Sequence, residues 1–171
     1  MANSILQDWN ALELQPAADA ILPCNGSRAW AGQIAGLRPF ATPFDLTCTA
    51  DIVWRSLPAS DWQQAFDSHP RIGEHRAKAA TTQSLHWSAG EQSTANPDDA
   101  VKAALAAGNQ AYEQKFGRIF IVCATSKSAV QMLAILNQRM ANDPATELRE
   151  AAEQQRQITQ IRLRKWLGMA I

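Results

Sequence analysis

The sequence is short of most features that would remove it from the ordinary globular class. Only three of its 171 residues are cysteine. Cys24, Cys48 and Cys123 are odd in number and far apart, which excludes a disulfide framework and a C-x-x-C metal knuckle. Reduced, mostly buried thiols are expected. Net charge is also missing, because 16 Lys and Arg balance 16 Asp and Glu. The chain therefore lacks both the basic footprint of a nucleic-acid binder and an acidic tail. A small molecule is the expected partner. No apolar run reaches the roughly 18 residues of a membrane-spanning helix. The opening MANSILQDWN has no basic region followed by an apolar stretch, so no membrane association and no export are expected. The patterns G-x-G-x-x-G, G-x-x-x-x-G-K-[ST] and G-x-S-x-G are absent, which leaves nucleotide binding and serine hydrolysis without their usual signatures.

Internal repeats and Gly/Ser-rich linkers are absent as well. A length of 171 residues suits one domain, since single cores commonly span roughly 100 to 200 residues. Residues 1–171 are accordingly read as one domain. At this size a fold buries about 70% of the surface its unfolded chain exposes, so neither disulfide nor structural metal is required.

What the chain does contain is helix. Six tryptophans against one tyrosine are spread evenly and suit core packing. Prolines at 39, 43, 58, 70, 97 and 144 punctuate stretches rich in Ala, Leu, Gln and Glu, the residues that lose least on entering a helix. Ser60–Gln63, Ser88–Glu91 and Ser128–Gln131 have the form of capping boxes and predict helix starts, the first helix ending at Ser68. Asp143-Pro144 predicts another, with an N-cap before a proline at the first helical position. Val101, Leu105, Gly108, Tyr112 and Phe116 make one face of a helix between Pro97 and Gly117. Val130, Leu133, Leu136 and Met140 make a second between Ser128 and Asn142. A last helix is expected from Pro144 to about Leu167. Arg118–Cys123 is a short apolar run for which periodicity cannot separate strand from helix; it is read as extended and buried. A single strand cannot pair its own backbone, so the predicted class is all-α.

A few residues stand out chemically. In the last helix Leu148, Ala151, Ala152, Gln155, Ile158, Ile161 and Trp166 share one side at about 100° per residue. Arg162 lies in the middle of that side, whereas Arg149, Arg156 and Arg164 project with Glu150 and Glu153 to the polar face. A guanidinium on a core-facing stripe is either a ligand anchor, half of an ion pair, or a side chain that snorkels past Trp166 to solvent. His69 follows the helix predicted over 61–68 and is held at a bend by Pro70. The negative end of the helix dipole there favours the imidazolium, which suits acid–base work and equally suits simple capping. His75 and His86 fall in polar, loop-like surroundings. Glu74-His75 beside His69 misses the H-E-x-x-H and H-x-x-E-H spacings, so no metal site is expected. Glu91 is explained either as the third residue of a capping box or as a functional carboxylate.

Taken together, five segments resemble one family. They are Arg38-Pro39-Phe40, His69-Pro70-Arg71-Ile72-Gly73, Ser88-Ala89-Gly90-Glu91-Gln92, Asn109-Gln110-Ala111-Tyr112-Glu113-Gln114-Lys115-Phe116-Gly117 and Ile161-Arg162-Leu163-Arg164. Their order and spacing, over nearly the whole chain, resemble the 2-oxo-4-hydroxy-4-carboxy-5-ureidoimidazoline (OHCU) decarboxylases of urate breakdown. The resemblance implies an all-helical, cofactor-free enzyme, usually a homodimer, that converts the ureide OHCU to (S)-allantoin and carbon dioxide. It implies that His69 and Glu91 are the catalytic pair and that Pro70, Ser88, Gln92 and Arg162 bind substrate. Residues 119 to 124, with Ile119, Ile121 and Cys123 named, are implied to offer backbone groups. The sequence departs from the pattern at Arg71 and Ile72, where the family often has an acidic residue and leucine. Gly168-Met169-Ala170-Ile171 replaces the peroxisomal Ser-Lys-Leu of eukaryotic members, so a bacterial, cytoplasmic member is expected. Two other readings stand beside it: a non-enzymatic helical dimer module that binds a partner through its apolar faces, and an enzyme that acts on another ureide with the same three residues, His69, Glu91 and Arg162.

Overall fold

Residues 3–72, 81–92 and 98–170 are described by a computed structural model. Among them the chain forms nine helices and no strand: α1 (Ser4–Asn10), α2 (Leu14–Asn25), α3 (Arg28–Gly36), α4 (Pro43–Ser56), α5 (Ala59–Asp67), α6 (Thr82–Glu91), α7 (Asp99–Phe116), α8 (Ala129–Arg139) and α9 (Pro144–Trp166). The all-α class is therefore the observed one. None of the described helices is long and apolar enough to cross a membrane.

Helices start where a polar side chain can take up free backbone N–H groups. Asp98 opens α7 by accepting from the Val101 N–H at 2.8 Å, and Gly117, at φ 69°, closes it. The left-handed backbone there carries no Cβ penalty only in glycine. Ser128 and Gln131 form a reciprocal capping box at α8. Asp143 accepts from Ala145 and Thr146 ahead of Pro144.

Two of the predicted starts are displaced. Ser60 is the second residue of α5 rather than its cap; the Pro58 carbonyl instead receives the Asp61 and Trp62 N–H groups. Ser88–Glu91 is the last turn of α6, whose start is capped by Thr81 accepting from Ser84. His86 is thus an exposed helical residue and not part of a loop. In α8 the buried stripe is Ala129, Met132, Leu136 and Arg139, the helix ending at Arg139, with Val130 exposed. Capping at Ser128 sets the helix phase, and that phase turns Val130 outward. Arg118–Cys123 is buried from Ile119 onward and lies outside every helix, but it pairs with no strand.

The contacts group the chain into two compact units. The first comprises Met1–Ala65 and Arg156–Ile171. Its core contains Trp9, Trp30 and Trp54 with Ile21, Ile34, Leu46, Leu163 and Leu167. Each buried indole N–H must be satisfied: Trp9 donates to the Ala17 carbonyl at 2.8 Å and Trp30 to Ala50 at 3.1 Å. The Arg38-Pro39-Phe40 segment works structurally here. Arg38 donates to the carbonyls of Ala35, Trp9 and Leu12, where α1 and α3 end, and its guanidinium covers the Trp9 ring.

The second unit is Phe66–Gln155. Tyr112, Phe116 and Leu105 of α7 pack with Phe120 and Val122 and with Met132 and Leu136 of α8. Gly108 lets α8 approach, since a Cβ there would sit 2.9 Å from Leu136 Cδ2. A buried polar cluster crosses this core. Arg139 Nε donates to Glu147 Oε1 at 2.9 Å, Asn142 donates to Glu147 Oε2 at 2.8 Å, and the Tyr112 hydroxyl donates to the same carboxylate. Burial and this bond push the Tyr112 phenol above its ordinary range.

Candidate active site

Within the second unit, four stretches far apart in sequence are tied to one another. His69 lies just beyond α5, its N–H donating to the Phe66 carbonyl at 3.0 Å. The imidazole is buried, with Nε2 2.7 Å from Gln155 Oε1 on α9. The next residue of α9, Gln154, accepts the Cys123 backbone N–H at 2.9 Å. Burial raises the Cys123 thiol above its usual range; Lys127 pulls it down and the Glu91 carboxylate pushes it up. Glu91, at the end of α6, is buried, and its charge acts on the Cys123 thiol.

The Asn109–Gly117 segment of α7 supports the same unit from beneath. Asn109 donates to the Ile72 carbonyl at 3.3 Å, and Glu113 grips the Arg71 guanidinium with both oxygens. The backbone just after His69-Pro70 is held from two sides in consequence. Lys115 takes the last carbonyls around α8, Met140 at 2.6 Å and Asn142 at 3.1 Å. This is the expected use of a cation at a helix C-terminus.

Residues 119–124 are pinned as well. Arg139 Nη1 donates to the Ile121 carbonyl at 2.6 Å, and Lys127 Nζ to the Cys123 carbonyl at 2.7 Å. No hydrogen bond among the described residues uses the backbone N–H of Ile119, Phe120, Ile121 or Val122. Cys123 differs from Ile119 and Ile121 in this respect, since both its backbone groups are engaged inside the protein.

The other expected residues fall as follows. Pro70 and Ser88 are buried and Gln92 is half-buried at the α6 C-cap, all in the second unit. Glu74 and His75 lie outside the described residues. Arg162 belongs to the first unit. It is fully buried, which rules out snorkelling past Trp166, and its Nη1 lies 3.4 Å from the Pro23 carbonyl. The neighbouring Cys24 thiol is raised far above its ordinary range by burial, the Arg162 charge offsetting part of this. Gln154, Gln155, Arg139 and Glu147 were not anticipated as site residues. Gln155 did show a signal, a polar side chain on the core-facing stripe of α9.

A family model described as OHCU decarboxylase matches residues 10–164. The chain belongs to the OHCU decarboxylase family. Among relatives in this family, the "Uric acid degradation bifunctional protein TTL" of Arabidopsis thaliana is 35% identical over 144 residues, 83% of this chain. The chain spans only 44% of that protein's length. The "2-oxo-4-hydroxy-4-carboxy-5-ureidoimidazoline decarboxylase" of Amia calva is 30% identical over 145 residues, covering 82% of this chain and 78% of the relative. Among solved structures, an OHCU decarboxylase crystallised in the presence of (S)-allantoin superposes with a TM-score of 0.77 at 34% identity, over 88% of this chain and 98% of that one. An (S)-allantoin synthase structure, 17% identical, shares the fold with a TM-score of 0.71 over 94% of this chain and 53% of its own.

Proposed function

We propose that this chain decarboxylates OHCU to (S)-allantoin in urate degradation, using His69 and Glu91 at the reacting carbon. The observation that carries the reading is the placement, inside one compact unit of a family member, of buried His69 and buried Glu91, with α9 tying His69 through Gln155 and the Cys123 backbone through Gln154. OHCU bears its carboxylate on a carbon that also holds a hydroxyl and adjoins an imine-like ring carbon. The bond from that carbon to the carboxylate breaks, carbon dioxide leaves, and the electron pair moves toward the adjoining imine-like carbon and its ring nitrogen; a proton is taken up at that adjoining carbon while the hydroxyl carbon becomes the ring carbonyl of (S)-allantoin. His69 and Glu91 orient the hydroxyl and carboxylate and manage proton transfer, a class of help worth about 100-fold to 10,000-fold. The charge of Glu91 also disfavours the bound carboxylate, which the transition state relieves as charge moves into the ring.

Pro70, Ser88 and Gln92 belong to the substrate-binding set beside this pair, and Arg162 anchors ring oxygens or the ureido group. Ile119 and Ile121 contribute backbone N–H groups, such preorganised donors supplying several kcal/mol. Cys123 shapes the same segment while its own N–H remains with Gln154. The whole chain is read as one domain of this family, acting as a cytoplasmic homodimer without a cofactor. The family match over residues 10–164 supports the first of these, and the resemblance supports the others.

Freshly generated OHCU provides the test, with circular dichroism following (S)-allantoin. The protein is expected to accelerate its formation, and His69→Ala to abolish the acceleration while the fold stays intact. Near wild-type turnover in that variant overturns the role of His69. Sedimentation of the purified protein tests the dimer.

A further inference from the structure

The backbone after His69 is gripped by α7 in a way that the fold itself does not call for. Asn109 sits on the buried stripe of that helix, between Leu105 and Tyr112. The Ile72 carbonyl can only accept, so the Asn109 amide turns Nδ2 toward it, at 3.3 Å. That is long for such a bond. Oδ1 is left buried, with no hydrogen-bond partner among the described residues. A buried acceptor without a donor is destabilising, and an apolar side chain of similar size would fill this place without that penalty. One turn further on, Glu113 holds Arg71 with both oxygens, Oε2 lying 2.8 Å from Nη2. The Arg71 and Glu113 side chains are 37% and 26% exposed, and an ion pair so open to solvent adds little to stability.

We propose that Asn109 and Glu113 are positioning residues for this reaction: from one face of α7 they fix Ile72 and Arg71, and through them the imidazole of His69. The inference rests on the reading of His69 as a catalytic residue.

The path from grip to ring is short. Only Pro70 separates His69 from Arg71, and its ring fixes one of its two backbone torsions. Ahead of the bend, the His69 N–H donates to the Phe66 carbonyl at 3.0 Å. The imidazole itself meets α9, with Nε2 2.7 Å from Gln155 Oε1. The bend is thus tied to α5 before the histidine, to α9 at the ring and to α7 after it. Residues four apart are neighbours on one helix face, and α7 is an 18-residue helix closed by Asp98 and Gly117. Its two polar side chains therefore act from a stiff support. A catalytic group displaced by about 1 Å can lose on the order of 100-fold in rate, which gives a reason to keep an asparagine where packing favours an apolar residue.

Asn109→Leu separates the two roles, because stability and turnover should move in opposite directions. Its melting temperature is expected to equal or exceed that of wild type, since the unpartnered acceptor is gone. Its kcat is expected to fall by about tenfold or more while KM changes by less than about threefold. Glu113→Gln is expected to show the same split, with a melting temperature within a few degrees of wild type. Carbon-13 at Cε1 of the three histidines, with His69→Asn for assignment, reads the ring directly. His69 is expected to give one sharp signal in wild type and a broadened or doubled one in each variant. Full kcat in a folded Asn109→Leu or Glu113→Gln, with His69→Ala inactive, overturns the role of that residue. Slow turnover with a sharply lower melting temperature and an unchanged His69 signal assigns the grip to stability and overturns the inference. Full activity in His69→Ala defeats the underlying reading of the histidine, and the ring signal still tests the grip.

Discussion

The tetrapeptides Ser88–Glu91 and Ser128–Gln131 have the same form in sequence and opposite places in the fold. Ser128 opens α8: its hydroxyl accepts from the Gln131 N–H at 3.2 Å and Gln131 returns an acceptor to the Ser128 N–H at 2.8 Å. Both residues are exposed, as a solvent-side cap usually is. Ser88 and Glu91 close α6 instead, and both are buried. The last turn of a helix offers free carbonyls, not free N–H groups, so a carboxylate there is not the third residue of an N-terminal capping box and meets the negative end of the dipole. Glu91 is thus placed against the local preference of its own helix. Residues that break a local rule are commonly functional, and the structure removes the capping explanation that the sequence left open.

The sharpest way to break this contrast is Glu91→Gln, which keeps the shape and removes the charge. Its kcat/KM is expected to fall by on the order of 100-fold or more, with the melting temperature nearly unchanged. A large drop in melting with the rate retained would return Glu91 to a structural role. Next in size is a buried carboxylate whose work is structural. Glu147→Leu leaves the Arg139 guanidinium buried without its counter-charge, at a cost of about 3–5 kcal/mol in urea unfolding. A loss below about 1 kcal/mol would show that the Arg139–Ile121 bond suffices for that charge. Ser128→Ala is the mirror image of Glu91→Gln: about 1 kcal/mol of stability is lost and kcat stays at the wild-type value.

Two smaller effects follow. A water-soluble thiol reagent should label exposed Cys48 in the native protein and reach Cys24 and Cys123 only on unfolding, because burial raises both of those thiols. Rapid native labelling of Cys123 would mean that the 119–124 segment opens. Asp143 supplies the least. Bonds from the Thr146 hydroxyl and N–H hold its carboxyl below the usual range. A depressed folded-state pKa stabilises above the unfolded value and is lost as pH falls through the folded one. Asp143→Ala should therefore melt slightly lower than wild type at neutral pH, the difference closing in acid. A difference that persists in acid would assign the effect to something other than this carboxylate.

Much of the helical architecture was legible because helices announce their ends locally. Asp98 and Gly117 bracket α7, and Asp143-Pro144 and Gly168 bracket α9. The periodicity that placed Arg162 on the core side of α9 agrees with its complete burial. The misreadings share a cause. Ser60, Ser88 and Val130 were placed by short patterns of four or fewer residues, and such patterns do not say which end of a helix they occupy or how it is rotated. The 119–124 run was ambiguous for a different reason: its backbone is held by Arg139, Gln154 and Lys127, all more than one helical turn away or on other helices.

The sequence by itself determined the class, the family and the identity of the residues to watch, since composition, caps and ordered motifs are local properties that survive without coordinates. Only the tertiary structure decided what those residues are near. It joined His69 to Gln155 and Gln154 to Cys123, and it put Glu91 at the end of one helix and Ser128 at the start of another. Burial and hydrogen-bond partners are properties of pairs distant along the chain, and no pattern of neighbours encodes them.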